Sequence, residues 1–397
     1  MAGIGRFFSL RLLLLLSAVA LGSYQARAYD MLCRNGSGSF QAQASTGVRV
    51  SVGPPTQGNL ALRSCRAVLS WNGQELLVAG DAAQVDLDIF GVDLGAGSPV
   101  AAFQIKQSEA ECCMNYEIYT LEKPPRHLRT LRGGGYFSAA DSFFNGQVEI
   151  WTDDAGAVDG LEGFHASQMT FPPTSVLRFE DGRLMDVSAE FQSYFDNQIS
   201  QLRTAINPQA AEQFKLTDGR LAALTASADR RPGFSPLVAV KLHILELVWA
   251  YLYSNRPKQA WQTLATMWPP SDLDRIRAAI IQARARGMRA QLDGVSEALP
   301  PRGEPEHSRV YDSATRPARP IMVRFYPPTG MSPLSGRLRV NLVVDCAGKV
   351  WSVKVSGKQK AAFNEVKRSS ANWKFIPAFL DDQPVASRVR MTISLEQ

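Results

Sequence analysis

The hydrophobic period of this chain changes twice, and each change limits what the residues on either side can form. Up to about Met185, apolar and polar residues alternate in short runs at 48–52, 67–71, 101–105 and 148–151. A period of two is the signature of a strand with one buried face. Breakers separate the runs: Gly53-Pro54-Pro55, Asn72-Gly73 and Gly133-Gly134-Gly135. Strands at this spacing predict a sandwich or part of a propeller. From Ser188 to Glu297 the period becomes helical, with Phe191, Tyr194, Ile199, Leu202 and Ile206 on one face. Ser235 before Pro236 predicts a capped helix start, and Asn255 with Pro257 predicts another. The run Ser271-Asp272-Leu273-Asp274 opens a third helix that ends near Gly287. Alternation returns after Ile321. The fold class is therefore α+β and multidomain: a mostly-β domain over 29–187, a helical domain over 188–297 and a small C-terminal β-β-α-β-β domain over 321–397. Residues 298–320 read as a linker, with five prolines among Arg, Glu, His and Ser. In the extended polyproline form it reaches ~70 Å at most, at ~3.1 Å per residue.

Residues 1–28 have the layout of a secretory signal. Arg6 and Arg11 precede a short apolar core, and Ala26-Arg27-Ala28 forms a small-x-small cleavage site. The run from Leu12 to Gly22 falls short of the ~20 residues of a membrane span. The expectation is export to the periplasm with Tyr29 as the new N-terminus. The alternative is an uncleaved anchor in the inner membrane, facing the periplasm.

Cysteine usage agrees with an oxidising compartment. Cys33, Cys65, Cys112 and Cys113 all lie in the first mature segment, and four cysteines allow three pairings. A bridge between neighbours in sequence is strained, so Cys112 and Cys113 are each expected to reach Cys33 or Cys65. Cys346 is left over. In the same domain, Asp141, Asn145 and Glu149 surround a Gly146 turn, as in calcium loops of propeller-type repeats. Phe143 occupies a position that should carry a ligand, so a structural turn is the expectation and calcium the alternative. No other metal site is expected. Asp86, Asp88 and Asp93 read as the solvated edge of a strand.

Charge is unevenly distributed. The 397 residues carry a net charge of +6, but residues 29–187 hold 11 Lys/Arg against 19 Asp/Glu, whereas residues 321–397 hold 12 against 5. No aromatic-and-basic signature of a nucleic-acid module accompanies the basic end, so no nucleic acid is expected as a partner. The two segments of opposite sign are also able to dock against one another.

The last segment has the clearest pattern. Val340, Leu342 and Val344 alternate with polar neighbours, Cys346-Ala347-Gly348-Lys349 forms a turn, and Trp351, Val353 and Val355 alternate in the return strand. A helix follows over 358–371. The final strand places Val389, Met391 and Ile393 inward, and Arg388, Arg390 and Thr392 outward. Tyr326-Pro327, the strand–turn–strand around Asp345-x-x-Gly348-x-Val350, and Trp373-x-Phe375-x-Pro377 together resemble the C-terminal domain of TonB-family energy transducers. The resemblance covers about 75 of the 397 residues. It implies a domain that binds a short segment of an outer-membrane receptor as an added β-strand. Family transducers keep a membrane anchor and a much longer proline-rich spacer. This chain instead has a cleavable leader, a short spacer and two domains in between.

The leading expectation is thus an exported, non-enzymatic envelope protein without a cofactor. Its terminal domain would dock a periplasmic or outer-membrane protein, such as a TonB-dependent receptor, along residues 388–393 (Arg388, Val389, Arg390, Met391, Thr392 and Ile393). A genuine energy transducer with an uncleaved anchor is the first alternative. The second is a carbohydrate or cell-wall binder, with peptidoglycan as a possible partner, using Trp71, Tyr116, Tyr119 and Trp151. An enzyme is not expected. His127, His165, His243 and His307 are scattered, His243-Ile-Leu-Glu246 lacks the second histidine of a zinc-protease helix, and Pro236 after Ser235 rules out a nucleophile elbow.

Overall fold

The structure, a computed structural model, describes residues 32–55, 64–109, 112–221, 235–296, 309–312, 319–326, 328 and 336–394. The signal segment, His307 and Pro327 lie outside the described residues.

The first half of the chain is built from strands. They are β1 (Cys33–Arg34), β2 (Phe40–Gln43), β3 (Arg49–Gly53), β4 (Cys65–Trp71), β5 (Gln74–Ala82), β6 (Gln84–Asp93), β7 (Pro99–Lys106), β8 (Met114–Thr120) and β9 (His127–Gly134). After them come β10 (Phe137–Ala140), β11 (Glu149–Asp153), the short helix α1 (Ala155–Val158), β12 (Thr174–Glu180) and β13 (Arg183–Asp186). Each run of alternation read from the sequence lies on one of these strands. They form three successive antiparallel meanders, β2 to β5, β6 to β9 and β10 to β13, with β1 added at the edge of β6. The middle sheet is apolar on both faces. Val85, Leu87 and Phe103 pack towards the first sheet, and Ile89, Ala102 and Tyr116 towards the third. The β domain is thus three sheets in succession with a core on either side of the middle one.

Cys33 and Cys65 are bonded, with Cα atoms 5.7 Å apart. Both are fully buried, because β1 pairs with Val85 of β6 while Cys65 pairs with Ala82 of β5. The expected crossing to Cys112 and Cys113 does not occur. Those two are joined to each other on the connection between β7 and β8.

The helical segment contains α2 (Gln192–Ala205), α3 (Pro208–Lys215), α4 (Pro236–Tyr253), α5 (Pro257–Met267) and α6 (Leu273–Arg286). Ser235 caps α4 as its sequence predicts, accepting the Val238 N–H at 3.4 Å. At α5 the N-cap is Arg256, because Asn255 takes a left-handed conformation (φ 61°) and ends the preceding turn. α4 is long and apolar enough to cross a membrane, yet 78% of it is buried among its neighbours. It is the axis of a core shared with Val158, Val176 and Val187 of the third sheet. The chain then returns as β14 (Gly294–Val295), a parallel strand beside β13.

The C-terminal module begins with β15 (Tyr311–Asp312) and β16 (Ile321–Arg324), followed by β17 (Arg337–Val344), β18 (Val350–Ser356) and α7 (Phe363–Ser370). It ends with β19 (Lys374–Ile376), β20 (Ala378–Leu380), β21 (Gln383–Val385) and β22 (Ser387–Ser394). Its main sheet has the order β15-β22-β17-β18. Leu338, Val340, Leu342, Met391 and Ile393 bury one face against Val366 of α7.

The module is seated on the β domain. Val323 and Ile376 belong to the core between the first two sheets, and Cys346 and Ala347 to the core between the second and third. Asp86 and Asp88, read as a solvated edge, are each 2% exposed. Arg324 meets Asp86 at 2.7 Å and Lys374 meets Asp88 at 3.2 Å. A strand face of alternating acids has the same sequence whether it meets water or a cationic neighbour. Here it meets the neighbour, and the two segments of opposite charge do dock.

Candidate functional site

The turn motif that carries the family resemblance holds the module together and ties it to the β domain. Asp345 accepts the Ala347 and Lys349 N–H groups through Oδ1, and its Oδ2 accepts the Asp141 N–H from the β domain at 3.0 Å. Burial pushes its carboxyl up to about 6 against the pull of Lys374. Gly348 has φ 84°, and a Cβ there would collide with the Phe375 carbonyl oxygen. Trp373 donates Nε1–H to the Tyr326 carbonyl at 2.8 Å and packs on Phe325. Pro377 is buried just beyond Gly348.

Asp141 does not present its oxygens to a cation. Oδ1 accepts the Asn145 N–H and Oδ2 the Gly146 N–H, at 2.9 and 2.8 Å. The Asn145 side chain accepts the Gln147 N–H, and Glu149 accepts that of Ser142. The loop's own amides consume the oxygens that a hard cation would require. Among the described residues no group of three or more His, Cys, Asp or Glu side chains is placed to hold a metal. Cys346 is a free, buried thiol donating to Asp141 at 3.4 Å, and burial pushes its pKa well up.

The final strand was expected at the edge. The structure puts β22 one place in, against β17 along its whole length and against β15 at Ser387 and Arg388 only. Tyr311 and Asp312, assigned to the linker by composition, thus supply a short parallel strand. The Tyr311 N–H donates to the Ala386 carbonyl on the outer side of β22. Backbone groups alternate sides along a strand, so those of Arg388, Arg390, Thr392 and Ser394 face outward too. Beyond Arg388 no described residue pairs with that side.

Side chains split as the period of two requires. Val389, Met391 and Ile393 pack towards the α7 core, whereas Arg388, Arg390 and Thr392 lie on the face without a helix. That face also carries Arg337, Arg339 and Lys354, which have no ion-pair partner among the described residues. Arg390 meets Asp312 at 3.6 Å. Trp351, 46% exposed, stacks at 4.9 Å on Phe144 of the β domain and walls one end of a groove of about 870 Å³ over this face. The sequence reading missed Arg337, Lys354 and Trp351 as part of this surface. The outward parity of Arg337 and Lys354, the same as that of Arg388 and Arg390 across the ladder, was the signal that could have found those two, whereas Trp351 has the parity of Val353 and lies beside the register shift at Val343 and Val344.

The aromatics proposed for sugar binding are scattered. Tyr116 is fully buried and donates to Asp88 at 2.7 Å, and Tyr119 is 8% exposed. Trp71 packs beside the first core. Trp151 lines a cleft between the third sheet and the C-terminal module. Of the histidines, His243 contacts Glu246 at 3.0 Å, His127 contacts Glu117 and His165 approaches Asp159. These are three separate places. Comparison with known proteins finds no matching family model, no matching curated protein and no matching solved structure.

Proposed function

We propose that this is an exported, non-enzymatic envelope protein whose C-terminal module, similar to the TonB-family C-terminal domain, docks an extended segment of a periplasmic or outer-membrane protein as an added strand on β22. One observation carries the reading. The outer side of β22 already takes a short strand from its own chain and continues past it with no pairing partner among the described residues. An extended partner gains main-chain hydrogen bonds there with little sequence demand. The five cationic side chains on the adjoining face favour a segment that carries acidic residues.

The test is titration of the mature chain with periplasm-facing segments of outer-membrane receptors. Arg390→Pro removes an outward N–H while leaving the inward ladder to β17, and should lower affinity at least about tenfold. Arg390→Ala keeps the ladder and should weaken binding modestly, with a shallower salt dependence. Circular dichroism checks that both variants are folded. A folded Arg390→Pro protein that binds like the parent would remove β22 as the docking edge.

A further inference from the structure

The cleft lined by Trp151 encloses about 530 Å³ where the third sheet, α2 and the C-terminal module meet. Its polar lining is lopsided. Asp86 is already used, accepting the Leu32 N–H at 3.2 Å and Arg324 Nη1 at 2.7 Å. Among the residues that line the cleft, the buried groups left without partners are donors. Gln84, 4% exposed, has an unpartnered Nε2, and Arg324 has an unpartnered Nε. Lys349 lines the same cleft with no carboxylate within ion-pair distance among the described residues. A buried donor without an acceptor costs about 1–3 kcal/mol, so Gln84 Nε2 and Arg324 Nε, with the Lys349 ammonium lining the same cleft, call for an acceptor from outside.

The opposite wall is aromatic. Tyr136, Trp151 and Tyr194 line it, with the Trp151 and Tyr194 rings 5.1 Å apart. Sites for small molecules combine such apolar walls with a few fixed polar groups. We infer that this cleft binds a small molecule in which a carboxylate is carried on a six-membered ring, with the carboxylate on Lys349, Arg324 Nε and Gln84 Nε2 and the ring against Trp151 and Tyr136. Two kinds of molecule share that chemistry: an acidic sugar and an aromatic acid. The electrostatics agree. Burial and neighbouring Lys374 hold the Lys349 ammonium below its ordinary pKa, only partly offset by Asp345 and Asp88, so an anion beside it relieves both effects. This site lies away from β22 and does not depend on strand docking.

The experiment is a titration of the mature chain with glucuronate, benzoate and uncharged glucose, followed by calorimetry and tryptophan fluorescence. Saturable binding of glucuronate or benzoate at millimolar concentration is expected, with glucose at least about tenfold weaker, equivalent to about 1.4 kcal/mol. Which carboxylate binds tighter assigns the ring as sugar or aromatic. Lys349→Met should weaken the carboxylate about tenfold and leave the melting temperature within a few degrees. Gln84→Leu should weaken it severalfold and serves as the second variant if Lys349→Met does not fold. The inference is overturned if neither carboxylate binds, if glucose binds as well as glucuronate, or if folded variants bind like the parent.

Discussion

Gly348 is the residue on which the module's turn depends. Its positive φ and the Phe375 carbonyl beside it leave no room for any side chain. Gly348→Ala should cost about 2–4 kcal/mol, read as a lower urea midpoint at unchanged slope. A second residue-scale effect depends on pH. Glu149 is fully buried, and desolvation raises its carboxyl from 4.5 to about 7. With the folded pKa above the unfolded one, the native state holds a proton that the unfolded chain has released. The stabilisation from this group is therefore complete below about pH 4.5 and is lost as pH rises to about 7. Glu149→Gln should remove that slope, so the pH dependence of unfolding differs between variant and parent over this window.

At the scale of elements, some features were legible and others were not. The start of α4 was, because Ser235 and Pro236 act locally and need no tertiary partner. The outward parity of Arg388, Arg390 and Thr392 was, because the period of two is intrinsic to a strand. β15 was not, since two residues inside a proline-rich run carry no pattern of their own. The cysteine pairing was not either. It depends on β1 lying beside β6, and strand neighbours are set by tertiary packing. Mapping of disulfide-linked peptides should recover Cys33 with Cys65. Replacing that pair by alanines should cost about 3 kcal/mol, seen as a lower melting temperature of the oxidised protein.

For the whole molecule, the telling residues are Asp88 and Lys374. Asp88 lies on β6 and Lys374 on β19, at opposite ends of the sequence, yet they form a pair that is almost fully buried. Lys374→Met leaves a carboxylate buried without its cation, and should cost about 3–5 kcal/mol. Adding Asp88→Asn should recover part of that loss, and a double-mutant cycle in urea measures the coupling. The sequence disclosed the opposite charges of the two segments but not which residues would meet, since that depends on how sheets stack.

The return of the chain to the β domain as β14, before the module begins, has a consequence for covalent continuity. Ser296 donates its N–H to the Asp186 carbonyl, so the first part of the chain is fastened to its own sheet up to that point. The second part, from Arg309 onward, closes its own sheet and is seated on the first by buried ion pairs and shared apolar clusters. The peptide bonds between Pro300 and Pro305 are then dispensable to the assembled state. Residues up to Ser296 and residues from Arg309 onward, co-produced as two polypeptides, should elute as one species until denaturant is added.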